Sequence, residues 1–173
     1  MTPQTGVTIR APQAEELSAL PAIEADAALA FGQAGFPWYA AGEGLSRSAI
    51  AASHAAGLLW AAFDEADPVG FIAATMADAN LHVLELSVRR SHQRRGIGRA
   101  LLERAIDRGR WTYSPAVTLT TDEAVPFNAP FYRSLGFVRL AEGRLPPDLA
   151  AILAHERQVL DPRARRIAMA KVL

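Results

Sequence analysis

The sequence predicts a mixed α/β (α+β) fold in which a mostly antiparallel central sheet of six to seven strands is flanked by helices. Seven short segments show the apolar composition or the period-two alternation of strands, and helical patterns separate several of them. Three of these strands, at 58–63, 69–77 and 81–89, are joined by short turns, which implies antiparallel pairing. Another strand, at 116–120, follows a helical crossover and should run parallel to 81–89.

The remaining elements are predicted from local signals at their ends. Ser46 is typical of a helix N-cap and Gly57 of the residue after a helix. Asn128 and Gly136 bracket a short helix in the same way. In chain order these other elements are a strand at 7–10, a helical pattern at 13–31 with a break near Pro21, a loop at 32–44, a helix at 46–56, a short helix at 128–135, a strand at 137–140, a helix at 148–159 and a closing strand at 166–173.

Length and composition are those of one globular domain, which we expect to span residues 1–173. Lys plus Arg and Asp plus Glu are 18 each, so no overall charge favours a nucleic-acid partner. The chain has no cysteine, which excludes thiolate catalysis, and its isolated histidines lack metal-ligand spacing, so we expect no metal. Without a signal-peptide pattern or a run of ~18 apolar residues, a cytoplasmic protein with no membrane partner is expected.

A strand, a basic turn and an amphipathic helix follow one another at 84–109. Gly96 and Gly98 open the helix, where the first N–H groups and the helix dipole can together hold a phosphate. Local positive charge comes from five arginines: Arg89, Arg90, Arg94, Arg95 and Arg99. The alternative is an ordinary helix start surrounded by solvated arginines. In the strand, the two faces carry Leu84, Leu86 and Val88 on one side and Val83, Glu85 and Ser87 on the other.

Two segments with distinctive residue patterns follow the fourth predicted strand. The first is the turn Gln93-Arg94-Arg95-Gly96-Ile97-Gly98, and the second is Asn128 followed by Phe131-Tyr132-Arg133-Ser134-Leu135-Gly136-Phe137. Together they resemble the acetyl-CoA site of the GNAT superfamily of N-acetyltransferases, in which the first segment binds the CoA pyrophosphate. The resemblance covers residues 58–140. It departs from the family at Arg89-Arg90, where the family often has Asp-Pro or His-Pro.

The resemblance implies acetyl-CoA as co-substrate, with its core site at 58–141 and acceptor-side elements at 13–57 and 142–173. In the family the pantetheine arm of CoA pairs with the backbone of the fourth strand, as an added strand would. Asn128 has two compatible roles, as a helix N-cap and as a hydrogen-bonding partner of the cofactor. The expected cofactor-binding residues are Leu86, Ser87, Val88, Gln93, Arg94, Arg95, Gly96, Ile97, Gly98, Arg99, Asn128 and Tyr132.

Tyr132 and Glu85 are the catalytic candidates. The resemblance assigns to Tyr132 the protonation of the leaving thiolate, and the alternative is a tyrosine whose ring packs on the core. A carboxylate inside an apolar strand is costly unless it is paired or its pKa is raised, which is typical of acid/base sites. Glu85 is therefore the candidate base, unless it forms a salt bridge or lies exposed at a strand edge. His82 is a weaker candidate, and a strand bulge would change which face each residue occupies.

The resulting hypothesis is acetyl transfer from acetyl-CoA to a primary amine by direct attack in a ternary complex. Without cysteine, no thioester acyl-enzyme can form. Two alternatives stay open: a non-catalytic module that binds acyl-CoA, and a transferase that uses a different acyl-CoA. The acceptor is a small-molecule or peptide amine, and the apolar closing strand at 167–173 would suit a homodimer.

Overall fold

The computed structural model describes residues 6–173, so the first five residues of the expected domain lie outside the described part of the chain. Within residues 6–173 the seven strands β1 to β7 are Thr8–Arg10, Leu59–Asp64, Asp67–Ala77, Asn80–Val88, Ala116–Asp122, Val138–Arg139 and Arg166–Val172. Over the same residues the six α-helices α1 to α6 are Leu20–Gln33, Pro37–Ala40, Arg47–Ala55, Ile97–Trp111, Ala129–Ser134 and Pro147–Val159. Short 3-10 helices occupy Ala14–Ala19, Arg90–His92 and Glu142–Arg144.

Hydrogen bonds join the seven strands of the described chain in the order β1-β2-β3-β4-β5-β7-β6. The β1/β2, β2/β3, β5/β7 and β6/β7 pairs are antiparallel, and β4/β5 is parallel. The predicted fold, a mostly antiparallel sheet of six to seven strands with flanking helices, is therefore confirmed. The parallel position of the crossover strand is confirmed as well, because Leu81 is opposite Val117.

The chain forms two compact units, and β3 and β4 contribute residues to both. The first unit contains the described residues up to Thr75 together with Leu84–Arg108. The second contains Met76–Val83 and Gly109–Leu173. The expectation of a single domain over 1–173 stays a prediction.

The core of the first unit lies where α1 and α3 pack on β2 and β3. Its buried side chains are Leu20, Ile23, Ile50, Leu59, Ala61, Phe63, Phe71 and Ala73. In α4 the apolar positions with helical spacing are also buried: Ile97, Leu101, Leu102, Ala105 and Ile106. Ser46 caps α3 as predicted, because its Oγ accepts the Ala49 N–H at 3.1 Å.

In the second unit, β7 lies between β5 and β6 and α6 packs on it. Leu149 and Leu153 of α6 are buried against Ala168 of β7. Asp78 holds the start of α6, since its carboxylate accepts the N–H groups of Asp148 and Leu149, each at 2.9 Å. Asp78 also lies in the two-residue turn between β3 and β4, where a φ of 51° is tolerated best by Asp, Asn or Gly.

The N-terminal helical pattern is two elements in the structure. A 3-10 helix at Ala14–Ala19 leads directly into α1, and Pro21 lies in the first turn of α1. Proline is tolerated there because the first N–H groups of a helix have no partner within it. The break near Pro21 is therefore a change of helix type. The segment at 32–44, predicted to be a loop, contains the short helix α2.

The predicted turn between β2 and β3 is shorter than expected. β3 begins at Asp67, so Pro68 lies inside the strand. Its partner is Phe63, next to a register shift between Ala62 and Phe63. Such an irregularity accommodates a proline, which has no backbone N–H to donate to the neighbouring strand. Among residues 6–173, no helix combines the length and the apolar character needed to cross a membrane.

The cap at α6 gives a stability prediction. Asp78→Ala removes both hydrogen bonds to the helix start and should lower the free energy of unfolding by about 1–2 kcal/mol. Urea unfolding followed by circular dichroism measures the change. Asp67→Ala, which changes an exposed carboxylate in the preceding hairpin, is the matched control and should stay within about 0.5 kcal/mol of the parent. Equal effects of the two substitutions would contradict the capping role.

Candidate acetyl-CoA site

The turn between β4 and α4 is anchored to the end of β4. The Arg89 N–H donates to the Val69 carbonyl oxygen at 2.8 Å, which continues the pairing with β3. The Gln93 side chain donates from Nε2 to the Val88 carbonyl oxygen at 2.9 Å. Gln93, predicted as a cofactor-binding residue, thus has a structural role within the turn.

Asp26 of α1 holds the 3-10 helix at the start of this turn. Its carboxylate accepts the Arg90 backbone N–H at 2.8 Å and the Arg90 guanidinium at 3.1 and 3.2 Å. The backbone hydrogen bond is the main reason why the pKa of Asp26 is below its ordinary value. His92 is also hydrogen-bonded to β2, since its Nε2 is 3.0 Å from Oδ2 of Asp64. The turn is therefore fixed to three neighbouring elements of the first unit.

Two residues of the turn at 93–98 have left-handed backbone conformations. Arg94 and Gly96 adopt φ values of 60° and 82°. Left-handed residues are common in anion-binding turns, and the positive end of the 15-residue helix α4 also favours an anion. Ile97 is buried and anchors the first turn of α4, while Gly98 carries no side chain that would cover it. The arrangement fits a diphosphate group.

The five arginines of this region have different surroundings. Arg89 donates to the Pro68 carbonyl oxygen at 3.3 Å, Arg90 pairs with Asp26, and Arg99 pairs with Glu103 one turn along α4. Arg94 and Arg95 are exposed at the turn itself. Among residues 6–173, the Arg94 guanidinium has no ion-pair partner. The Arg94 side chain can therefore bind an anion without breaking an existing ion pair.

Glu85 lies in the half of β4 that belongs to the first unit and is partly buried. Its Oε1 accepts the Ser87 hydroxyl at 2.7 Å, so both side chains lie on the same face, as the strand alternation predicted. In α1, both carboxyl oxygens of Glu24 are 3.0 Å from the Leu45 nitrogen. Burial raises the pKa of Glu24 above its usual value. Leu86, between Glu85 and Ser87, is partly buried, and Ser87 and Val88 are buried.

Sequence reasoning missed Glu24. It lies in a helical pattern with several other acidic residues, and nothing in that pattern distinguishes it. Its special position arises from a long-range contact, the hydrogen bond that its carboxyl group accepts from the Leu45 N–H. The only sequence signal was a helix position next to the buried Ile23.

An aromatic cluster surrounds α2 in the acceptor-side region of the first unit. The ring centroids of Phe31 and Tyr39 are 5.2 Å apart, and those of Phe36 and Trp38 are 5.6 Å apart with an edge-to-face geometry. Trp38 and Tyr39 link the two pairs at 6.2 Å. All four side chains are partly buried, so the segment predicted to be a loop packs on the protein.

Tyr132 belongs to α5 in the second unit. Its ring is in edge-to-face contact with Phe131 at 5.2 Å and with Phe137 at 5.9 Å. The side chain is partly buried. Lys171 of β7 holds the end of α5, because Nζ donates to the Leu135 carbonyl oxygen at 2.7 Å. Gly136 follows with a φ of 87°, as expected for the residue after a helix.

Asn128 precedes α5, but the predicted side-chain cap is wrong. Its ψ of −89° differs from the extended value of an N-cap, and its side chain makes no capping hydrogen bond. Pro130 also removes one of the N–H groups that a cap would bind. Asn128 is partly buried, and its role toward the cofactor stays a prediction.

His82 lies in the half of β4 that belongs to the second unit. It is 1% exposed, and its Nδ1 is 2.9 Å from the Thr118 hydroxyl of β5. Burial lowers its pKa, so the ring stays neutral. Within residues 6–173, no group of three or more His, Asp or Glu side chains is arranged to hold a metal ion.

Comparison with known proteins defines the family. Residues 55–139 match the acetyltransferase (GNAT) domain family. The chain belongs to the GNAT superfamily. As a GNAT domain it is an acyltransferase, and the matched residues contain both the turn at 93–98 and the segment at 128–137.

Solved structures of GNAT proteins share the fold. The PaiA N-acetyltransferase of Thermoplasma acidophilum, determined in complex with coenzyme A, is 16% identical with a TM-score of 0.71; 96% of this chain and 99% of that protein are covered. The ribosomal-protein-S18-alanine N-acetyltransferase of Escherichia coli is 20% identical with a TM-score of 0.68, covering 96% of this chain and 93% of that one. Ard1 of Thermoplasma volcanium is 18% identical with a TM-score of 0.71, covering 97% of this chain and 98% of that one.

The turn of this GNAT domain gives a binding prediction. In Gly96→Ala the alanine must adopt a left-handed backbone conformation, which costs about 1–2 kcal/mol. The turn should therefore change its conformation, and the Kd for CoA should rise about tenfold or more. Isothermal titration calorimetry with CoA measures the effect. Gly143→Ala is the control, because no atom lies within 4 Å of its added Cβ and its φ is not left-handed. An unchanged Kd in Gly96→Ala would contradict a role of this turn in CoA binding.

Proposed function

We propose that this GNAT domain transfers the acetyl group of acetyl-CoA to a primary amine by direct attack in a ternary complex. The observation that carries the proposal is the anchored turn at 93–98, in which Arg94 and Gly96 have left-handed backbone conformations directly before α4. Such a turn suits the diphosphate of CoA, and it occurs at the position of the family motif. When bound, acetyl-CoA supplies the activated thioester.

The residues proposed to hold the co-substrate divide into three groups. Backbone N–H groups of Gly96, Ile97 and Gly98 bind the diphosphate, and Arg94 adds a charge-assisted hydrogen bond. The backbone of residues 86–88 pairs with the pantetheine amides. The Asn128 amide, which makes no helix cap, provides a further hydrogen bond.

Glu85 is proposed to take a proton from the acceptor amine, directly or through water, which leaves the nitrogen lone pair free to attack. Strand amides at 86–88 stabilise negative charge that develops on the carbonyl oxygen. The Tyr132 phenol donates a proton to the departing sulfur. Each role is chemically suited to the side chain, since a carboxylate can accept a proton and a phenol can donate one.

The acceptor is proposed to be a small-molecule or peptide amine. The aromatic cluster around α2 and the carboxyl group of Glu85 are both parts of the first unit, and together they suit a cationic amine with an apolar neighbour. A nucleic-acid or membrane partner is not part of the proposal, and a homodimer through the closing strand stays a prediction. So does a cytoplasmic location.

Substitution of the two catalytic candidates tests the reaction. Glu85→Gln should lower kcat/KM by about 10²–10⁴-fold because the base is lost, and Tyr132→Phe should lower kcat because the proton donor is lost. Release of the CoA thiol is followed over a panel of small amines and peptide N-termini.

The matched controls are Glu15→Gln and Tyr113→Phe, which change exposed residues; Tyr113 is 93% exposed. Both controls should keep the parent's rate, and both controls and Glu85→Gln should bind CoA with the parent's Kd. If Glu85→Gln and Tyr132→Phe turn over like the parent, the assignment of roles is wrong. If the parent binds CoA but releases no thiol with any amine, the chain is a binding module.

A further inference from the structure

A fully buried carboxyl group ends β5 in the second unit. Asp122 is 0% exposed, and each oxygen of its side chain accepts a backbone N–H. Oδ1 accepts the Ala124 N–H at 2.7 Å, and Oδ2 accepts the Arg165 N–H at 3.1 Å. Removal of a carboxyl group from water is costly unless hydrogen-bond donors replace the lost water, and these two N–H groups do so.

The two N–H groups come from segments that are far apart in the chain. Ala124 is two residues after Asp122, so this contact is a local turn of the Asx type. Arg165 directly precedes β7. The Glu123 N–H donates to the Arg165 carbonyl oxygen at 2.9 Å, which continues the antiparallel pairing of β5 with β7 beyond Asp122. The Asp122 side chain therefore joins the end of β5 to the start of β7.

The chain after Asp122 leads to the catalytic candidate Tyr132. Residues 123–128 form the connecting segment between β5 and α5. Within it, Val125 is 0% exposed, and its carbonyl oxygen accepts the Asn128 N–H at 3.1 Å. The Asn128 carbonyl oxygen then accepts the Tyr132 N–H at 3.2 Å. A series of hydrogen bonds and one buried side chain thus fix the backbone from Asp122 to Tyr132.

The other end of α5 also depends on β7. Lys171 donates from Nζ to the Leu135 carbonyl oxygen at 2.7 Å, and the Leu135 N–H donates to the Tyr132 carbonyl oxygen at 3.0 Å. A helix of six residues is too short to be stable by itself, so contacts at its two ends determine where it lies. The hydrogen bonds of Asp122 act before the first turn of α5, and Lys171 acts after the last.

We propose that Asp122 is a positioning residue for the Tyr132 phenol. This inference rests on the proposed function, in which Tyr132 donates a proton to the departing sulfur. Asp122 does not touch the substrate; it acts through the connecting segment, whose start it fixes to β7. A proton donor must be within hydrogen-bond reach of its acceptor, and a displacement of about 1 Å can lower a rate about 10²-fold.

The step that depends on this position conserves protons and electron pairs. The amine nitrogen forms a C–N bond to the acetyl carbon and gives one proton to Glu85. The C–S bond breaks, its electron pair stays on sulfur, and the sulfur takes the proton of the Tyr132 phenol. After the products leave, solvent returns a proton to the phenolate and removes one from Glu85.

Asp122→Asn removes one of the two contacts with little change in size. The amide oxygen can accept one of the two N–H groups, and the amide nitrogen then faces the other, with which it cannot form a hydrogen bond. We expect kcat to fall about tenfold or more because the phenol is displaced, while KM for the amine changes less than about twofold. Release of the CoA thiol is measured with an amine that the parent acetylates.

Arg165 offers the same test without a change in Asp122. Arg165→Pro removes the N–H that Oδ2 accepts, at a position directly before a strand, where proline is tolerated. Arg165→Ala is the matched control: it keeps this N–H and loses a guanidinium 3.4 Å from Glu123. Arg165→Pro should lower kcat as Asp122→Asn does, and Arg165→Ala should keep the parent's kcat. If Asp122→Asn does not fold, the comparison of the two Arg165 variants decides the question.

A double-mutant cycle with Tyr132→Phe separates positioning from stability. Asp122→Asn should lower kcat when Tyr132 is present and have little effect in Tyr132→Phe, which has no phenol proton to deliver. Asp78→Ala, which removes two hydrogen bonds at the start of α6 in the same unit, is the stability control. It should lower the Tm and leave kcat at the parent's value well below that temperature.

Fluorine NMR of the protein labelled with 3-fluorotyrosine gives a readout without turnover. The chain has three tyrosines, and Tyr132→Phe assigns the Tyr132 signal. Asp122→Asn and Arg165→Pro should shift or broaden this signal. The signal of Tyr113, which is 93% exposed, should stay unchanged. Asp78→Ala and Arg165→Ala should leave the Tyr132 signal as in the parent, because neither removes a contact of the Asp122 side chain.

The outcomes distinguish this inference from the proposed function. If Tyr132→Phe is slow while Asp122→Asn and Arg165→Pro keep the parent's kcat and Tyr132 signal, Tyr132 keeps its role and the inference about Asp122 is wrong. If Asp122→Asn lowers kcat by the same factor with and without the phenol, Asp122 does not act through Tyr132, and the inference is again wrong. If the parent acetylates no amine, the proposed function fails, and the positioning role in that reaction fails with it.

Discussion

The hydrogen bonds that hold the backbone between β4 and α4 are the constraint on which the candidate site depends. An anion-binding turn must leave its own N–H groups unpaired, so it cannot be stabilised by them. Here other groups do so: Val69 pairs with Arg89, Asp26 holds Arg90, and the Gln93 side chain binds Val88. None of these three bonds uses an N–H group at the start of α4.

The same strand explains the position of the proposed base. Glu85 is three residues before Val88, so the anchoring of the turn also sets the position of the proposed base relative to the proposed phosphate site. Helix α1 contributes to this anchoring, since Asp26 accepts the Arg90 N–H. A displacement of α1 would therefore disturb the turn.

Much of the fold could be predicted because its signals are local. Strand alternation, helical spacing in α4, the Ser46 cap and the glycine after α5 each depend on a few neighbouring residues. The features that were missed depend on distant contacts. α2 exists in a segment of glycines and aromatics because its side chains pack on one another, and the cap expected at Asn128 is absent because of a backbone angle that no residue pattern indicates. For the same reason Glu24 could not be distinguished from the other acids of its helix.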